Sequence, residues 1–251
     1  MPARRTARAA RVVAAIAATL LLGALAASPA LADDRNLGGP SRAGGQPYER
    51  TRTFDLFRSG AMVTQFTSYW CVPAATQSMI NLVAGTSDRS YATQSRLYRE
   101  LRAANLYRYT TRGNDVRGWA KVLTAHLGPG RSYGDRSYTS QAAAYNAIVD
   151  SMTLTKRPVG IVVDRGTHAW TIVGFKVHET VGVRGSRTIL GFYVVGPLGS
   201  PRDPWPKAYY TVAQLSSRFT RYHEVTRTVI WEGKFVIVQP LEDTGAVTTG
   251  R

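Results

Sequence analysis

Gln65-Phe66-Thr67-Ser68-Tyr69-Trp70-Cys71-Val72-Pro73-Ala74-Ala75 is the stretch on which the reading of this chain turns. Cys71 is the only cysteine among 251 residues. A helical pattern starts just after it, over 73–83, with Ala74, Ala75, Met79, Ile80 and Leu82 as buriable positions. Pro73 suits a first helical turn, where its missing N–H costs nothing. Gly85 ends the pattern. A sulfur at a helix start meets free N–H groups and the positive end of the helix dipole, and both favour a thiolate. A lone thiol is otherwise a small buried hydrophobe, so the neighbours decide. Gln65, six residues earlier, can offer a side-chain N–H to an oxyanion, and the Cys71 backbone can offer a second.

Thiol chemistry also needs a base. The Gly166-Thr167 turn leads into His168, which heads the apolar run Ala169-Trp170-Thr171-Ile172-Val173-Gly174-Phe175. A histidine at the head of such a strand can face a cleft while the strand anchors in the core. The other histidines read differently. His126 ends a predicted helix, where a cation suits the dipole. His178 follows the strand and faces solvent, and His223 heads a late strand beside Glu224. A zinc site needs three or four converging ligands. With one cysteine and no H-E-x-x-H spacing, no metal is expected. No Gly-rich phosphate loop or dinucleotide fingerprint occurs, so no cofactor is expected.

The rest of the chain divides by period. Helical patterns cover 88–104, with Leu97, Leu101 and Ala104 inward, and 115–126, with Asn114 as cap and Val116, Trp119, Val122 and Leu123 on one face. Ser140 caps a fourth helix carrying Ala144, Ile148 and Met152. From Pro158 the period changes to that of strands, over 158–163, 169–177, 188–195, 225–230 and 234–238, with a short helix at 211–219. Helices first and an antiparallel sheet after it give an α+β domain.

The N-terminus reads as a processing segment. Arg4, Arg5, Arg8 and Arg11 precede an apolar run that ends in Pro29-Ala30-Leu31-Ala32, as in a secretory signal peptide cut after Ala32. An uncleaved anchor is the alternative reading of that run. Residues 33–59 read as a flexible lead-in or short pro-segment, 60–240 as the domain and 241–251 as a loose tail. Removing 32 of the 251 residues leaves 219, enough for one core without disulfides. The formal charge is +16, and loss of four arginines leaves +12. A basic exported protein is drawn to anionic wall polymers, lipid headgroups or nucleic acid. The arginines are scattered and no nucleic-acid motif accompanies them, so no specific nucleic acid partner is expected. Neither is stable membrane insertion after signal cleavage, and a monomer is expected.

In the order of these pieces the chain resembles the papain-like cysteine peptidases of the bacteriocin-processing peptidase-like group. That group shows a Gln before a Cys-Gly-Pro-Ala helix start, a glycine-led helix, then a strand with His ending in Val-Gly-Tyr or Val-Gly-Phe. Here these are Gln65, Cys71-Val72-Pro73-Ala74, Gly113-Asn114-Asp115-Val116-Arg117-Gly118, and His168 through Val173-Gly174-Phe175, spanning 65–219. The resemblance implies a papain-like fold, the N-terminal helical half packed on a C-terminal antiparallel sheet, and peptide-bond hydrolysis by Cys71 and His168 with Gln65 as oxyanion donor. Val72 departs from the usual glycine. The family's orienting Asp or Asn precedes a proline after the next strand, where this chain has Gly196-Pro197. Asp203-Pro204, seven residues on, supplies the orienting carboxylate if the intervening residues are an insertion; otherwise Asp203 is a turn residue.

Two rivals keep the scaffold and change the function. An NlpC-type wall hydrolase would use the same thiol, but its Asp-Cys-Ser-Gly start does not match Trp70-Cys71-Val72. A non-catalytic wall- or peptide-binding protein on a degenerate papain-like scaffold would explain Gly196. Among the aromatics, Trp119 and Trp170 read as core, and Tyr69 or Trp70 as cleft lining.

Overall fold

A computed structural model describes residues 46–108, 112–183, 185–200, 203–225 and 227–242. The signal segment 1–32, the first part of the lead-in to residue 45 and the tail from 243 lie outside the described residues. The helices are α1 (Cys71–Ala84), α2 (Tyr91–Ala104), α3 (Val116–Leu127), α4 (Gln141–Thr155) and the short α5 (Val212–Ser216). The strands are β1 (Tyr48–Asp55), β2 (Tyr133–Tyr138), β3 (Val159–Val163), β4 (His168–Val181), β5 (Thr188–Val195), β6 (Ala208–Thr211) and β7 (Phe235–Pro240). All pairings are antiparallel, in the order β2-β7-β3-β4-β5-β6. The class is α+β.

β4 is long enough to take two partners along one edge. Its first part pairs with β3, Val163 facing His168 and Val159 facing Ile172. Its second part pairs with β1, Asp55 facing Gly174 and Tyr48 facing Val181. The N-terminal lead-in is therefore corrected: Tyr48–Asp55 is a strand of the main sheet. Its alternation is hidden in the sequence because the half-buried positions before Phe54 are Arg50 and Arg52, which sit against Glu179. At the other end, Leu241 is tied in rather than loose, its N–H donating to Ser132 O at 2.9 Å.

Both faces of the sheet are covered. Val159, Ile161 and Val163 join Phe235 and Ile237 in a core with Ala144, Ile148 and Met152 of α4. The intervening Val162, Val236 and Val238 join Leu97, Val116, Trp119 and Leu123 of α2 and α3 on the other side. Alternate strand residues point to opposite faces, so α4 lies across the sheet from α1–α3. The expectation of one helical half against one sheet is corrected accordingly. It also explains why β3 reads as five apolar or glycine residues in a row, all buried.

Other boundaries moved for local reasons. Asp115, not Asn114, caps α3, its Oδ1 accepting from Gly118 N at 2.8 Å. Ser90 and Ser140 cap α2 and α4. The expected strand at 225–230 does not form over its described residues: both edges of β7 are taken by β2 and β3, and Val225 is 82% exposed. β2, Tyr-Gly-Asp-Arg-Ser-Tyr, escapes a hydrophobic reading because it is an edge strand. Among the described residues no helix is long and apolar enough to cross a membrane.

Candidate active site

Cys71 is the first residue of α1, two positions earlier than the periodicity alone suggests. Trp70 stands at the N-cap and makes no side-chain capping bond. The first N–H groups of a helix have no helical acceptor, and Pro73 has no N–H at all. Trp70 therefore leaves the N–H groups of Cys71 and Val72 without a capping oxygen, at the end of the helix that attracts negative charge.

The loop that delivers Cys71 is held from beneath by buried amides. Gln94, fully buried, accepts from Phe66 N at 2.9 Å and donates to Thr64 O at 3.1 Å and Gln77 Oε1 at 3.2 Å. Ser78 Oγ accepts from Val63 N at 2.9 Å, and Asn81 donates to Ala61 O at 3.1 Å. The sequence signal for these supports was there: polar residues at core-facing positions of α1 and α2.

His168 opens β4 beside the N-terminus of α1. Its Nε2 is 3.2 Å from Asp203 Oδ1. The Cys71 thiol lines the same cleft as the ring. The ring is largely buried, and burial is the strongest single influence, opposing its positive charge. Asp203 and Cys71 together outweigh it and raise the His168 pKa from 6.5 to about 9.

The Asp203 side chain is fully buried. Oδ1 also accepts from Trp170 Nε1 at 2.6 Å, and Oδ2 accepts from Leu198 N at 2.6 Å. A carboxylate with three such donors is fixed in plane and rotamer. Trp170 is core, as expected, and in addition donates to this carboxylate, a role its strand position two residues after His168 permits.

Cys71 and His168 share one cleft of about 200 Å³ with Tyr69, Val72, Asn114 and Tyr222. Trp70 is buried instead, stacked on Tyr98. Two larger hollows of about 520 Å³ each lie elsewhere, one by Arg50 and Arg187, the other by Leu154 and Arg157, and neither contains a cysteine or histidine. Gln65 is not among the residues that line the cleft. Its Nε2 donates to Thr67 O at 2.7 Å and its backbone N–H to Pro197 O at 2.7 Å.

The remaining histidines each sit beside a glutamate: His126 with Glu100 at 2.5 Å, His178 with Glu49 at 2.9 Å and His223 with Glu232 at 2.8 Å. Among the described residues no group of three His, Cys, Asp or Glu converges as metal ligands would. No protein-family model matches the chain, and no curated protein matches it.

Proposed function

We propose that this protein is a cysteine peptidase with a papain-like fold, in which Cys71, His168 and Asp203 form the catalytic line. The observation that carries this reading is a thiol at an uncapped helix start that shares one cleft with a largely buried imidazole, which has a carboxylate 3.2 Å behind it. The Cys71 sulfur attacks the scissile carbonyl carbon as a thiolate. The imidazolium then gives its proton to the leaving amine as the C–N bond breaks. Water, deprotonated by the now neutral His168, hydrolyses the thioester and restores the pair. Asp203 holds the ring in the tautomer and orientation that this needs.

The Cys71 backbone N–H supplies one oxyanion donor. Gln65 is the candidate for the second: it does not line the cleft, but its Nε2 carries two hydrogens and Thr67 O takes only one. The substrate is a peptide or protein, reached outside the cytoplasm if residues 1–32 act as the export signal their pattern suggests. The basic charge would hold the enzyme near anionic wall polymers.

A thiol-reactive probe on the full chain tests the reading. Rapid alkylation of Cys71 at mildly acidic pH, abolished by His168→Ala, is the expected result. Cys71→Ser should remove hydrolysis of a casein substrate while leaving the melting curve near that of the wild type. Alkylation no faster than a free thiol, and indifferent to His168→Ala, would instead fit a binding protein on the same scaffold.

A further inference from the structure

The turn that presents His168 is unusual backbone. Asp164, Arg165 and Gly166 lie consecutively at φ 52°, 61° and 99°. Residues with a β-carbon rarely adopt this region, and they keep it only where the surroundings over-determine it. Here the surroundings are the segment after α5. Asp164 N–H donates to Arg218 O at 2.8 Å, Arg165 N–H to Thr220 Oγ1 at 2.9 Å, and His223 N–H to Arg165 O at 3.0 Å. The Arg218 guanidinium grips the Asp164 carboxylate twice, Nε to Oδ1 at 2.7 Å and Nη2 to Oδ2 at 2.6 Å.

The same guanidinium lies over Trp170, its central carbon 4.7 Å from the ring centroid. Trp170 in turn donates to the Asp203 oxygen that faces His168. Arg218 thus touches both supports of the imidazole. One is the turn from which β4 starts; the other is the indole that fixes the carboxylate. We propose that Arg218 is a positioning residue for the Cys71–His168 pair, acting through Asp164 on one side and Trp170 on the other.

The chemistry of the side chain favours this role over a merely stabilising one. The two partners of the ion pair are about a third exposed, at 33% and 35%, so solvent screens the attraction between their charges. A planar fork, however, fixes both distance and plane, and it stacks on an indole face in a way an ammonium cannot. The inference rests on the thiol-peptidase reading of the cleft.

Two variants of the full chain test it. Arg218→Lys keeps the charge and loses the fork. Asp164→Asn removes the carboxylate with a residue that tolerates left-handed backbone, so one folded variant is secured. The readouts are the rate of Cys71 alkylation by iodoacetamide and the titration midpoint of the His168 ring by NMR. Both variants should slow alkylation about ten- to a hundredfold, the range expected for small misplacements in an active site. Both should lower the His168 midpoint, because a loosened Asp203 favours the imidazolium less. Arg187→Ala, at the Asp150 pair, should change neither. Unchanged rate and midpoint in both variants overturn the inference, and so does a lower melting temperature with both readouts unchanged. Wild-type alkylation that is slow and indifferent to His168→Ala overturns the peptidase reading and this inference with it. Fast, His168-dependent wild-type alkylation with unaffected variants overturns only the role of Arg218.

Discussion

The space that a side chain at Gly196 would need is filled by the carboxylate of Asp203: a β-carbon built on Gly196 overlaps Asp203 Cγ and both carboxylate oxygens. Position 196 is where the resemblance would place an orienting Asp or Asn. Under the proposed function the orienting carboxylate comes instead from Asp203, seven residues further on. Gly196 N–H donates to Pro204 O at 2.8 Å, which brings the two segments side by side.

Gly196→Ala should accordingly act on catalysis through Asp203. The added methyl displaces the carboxylate, and the His168-dependent alkylation of Cys71 should fall about ten- to a hundredfold. Asp203→Ala should fall similarly. The double variant should be no slower than Asp203→Ala alone, since both changes remove one interaction. Wild-type alkylation in Gly196→Ala would separate Asp203 from the thiol chemistry.

Trp170→Phe keeps a ring in the core and deletes the N–H that Asp203 Oδ1 accepts. Loss of a hydrogen bond to a charged group costs about 1.5–3 kcal/mol. Urea unfolding should show a destabilisation of that order, with slower Cys71 alkylation beside it. An unfolding free energy equal to the wild type would mean that the indole contributes packing alone.

Gln65→Ala tests the second oxyanion donor. Removing one such donor lowers turnover roughly a hundredfold or more, and KM should change little because the interaction strengthens in the transition state. A near-normal rate would assign Gln65 to the loop, where it already bonds Thr67 O.

Much of the site is legible in the sequence because its parts are local. Cys71 before Pro73 marks a helix start, and His168 at the head of an apolar run marks a strand start. What brings them together is not local, since β4 meets the N-terminus of α1 only through the sheet order. Asp203 illustrates the limit: its dipeptide with Pro204 suits any turn, and only the void over Gly196 gives it a destination. Arg50 and Arg52 hid β1 for the opposite reason, since their cross-strand partner Glu179 lies far along the chain. The sheet's second helical layer was hidden in the same way. Buried apolar residues on β3 and β7 do not announce that both faces are covered.

β1 makes a specific prediction about the N-terminal segment. Phe54 stacks on Phe175 at 5.1 Å, Leu56 N–H donates to Val173 O at 2.8 Å, and Asp55 pairs with Lys207 at 2.6 Å. A chain that starts after residue 59 loses all three and bares the second half of β4. It should melt well below the chain that starts at residue 33, and be less active rather than more. Greater activity after truncation would restore the pro-segment reading.

The His168 pKa of about 9 gives stability and activity a shared pH signature. The folded value lies above the ordinary 6.5, so the fold favours the protonated ring. That contribution is fully present below about 6.5 and is lost as pH rises through about 9. The stability difference between wild type and His168→Gln, followed by urea unfolding, should therefore shrink across that window. Under the proposed mechanism the imidazolium is the acid for the leaving amine, so kcat/KM should decline over the same window with a midpoint near 9. Asp203→Asn weakens the bond and removes the charge that hold the proton on the ring. It should move the alkaline midpoint downward, and a midpoint unmoved by that change would disconnect Asp203 from the imidazole.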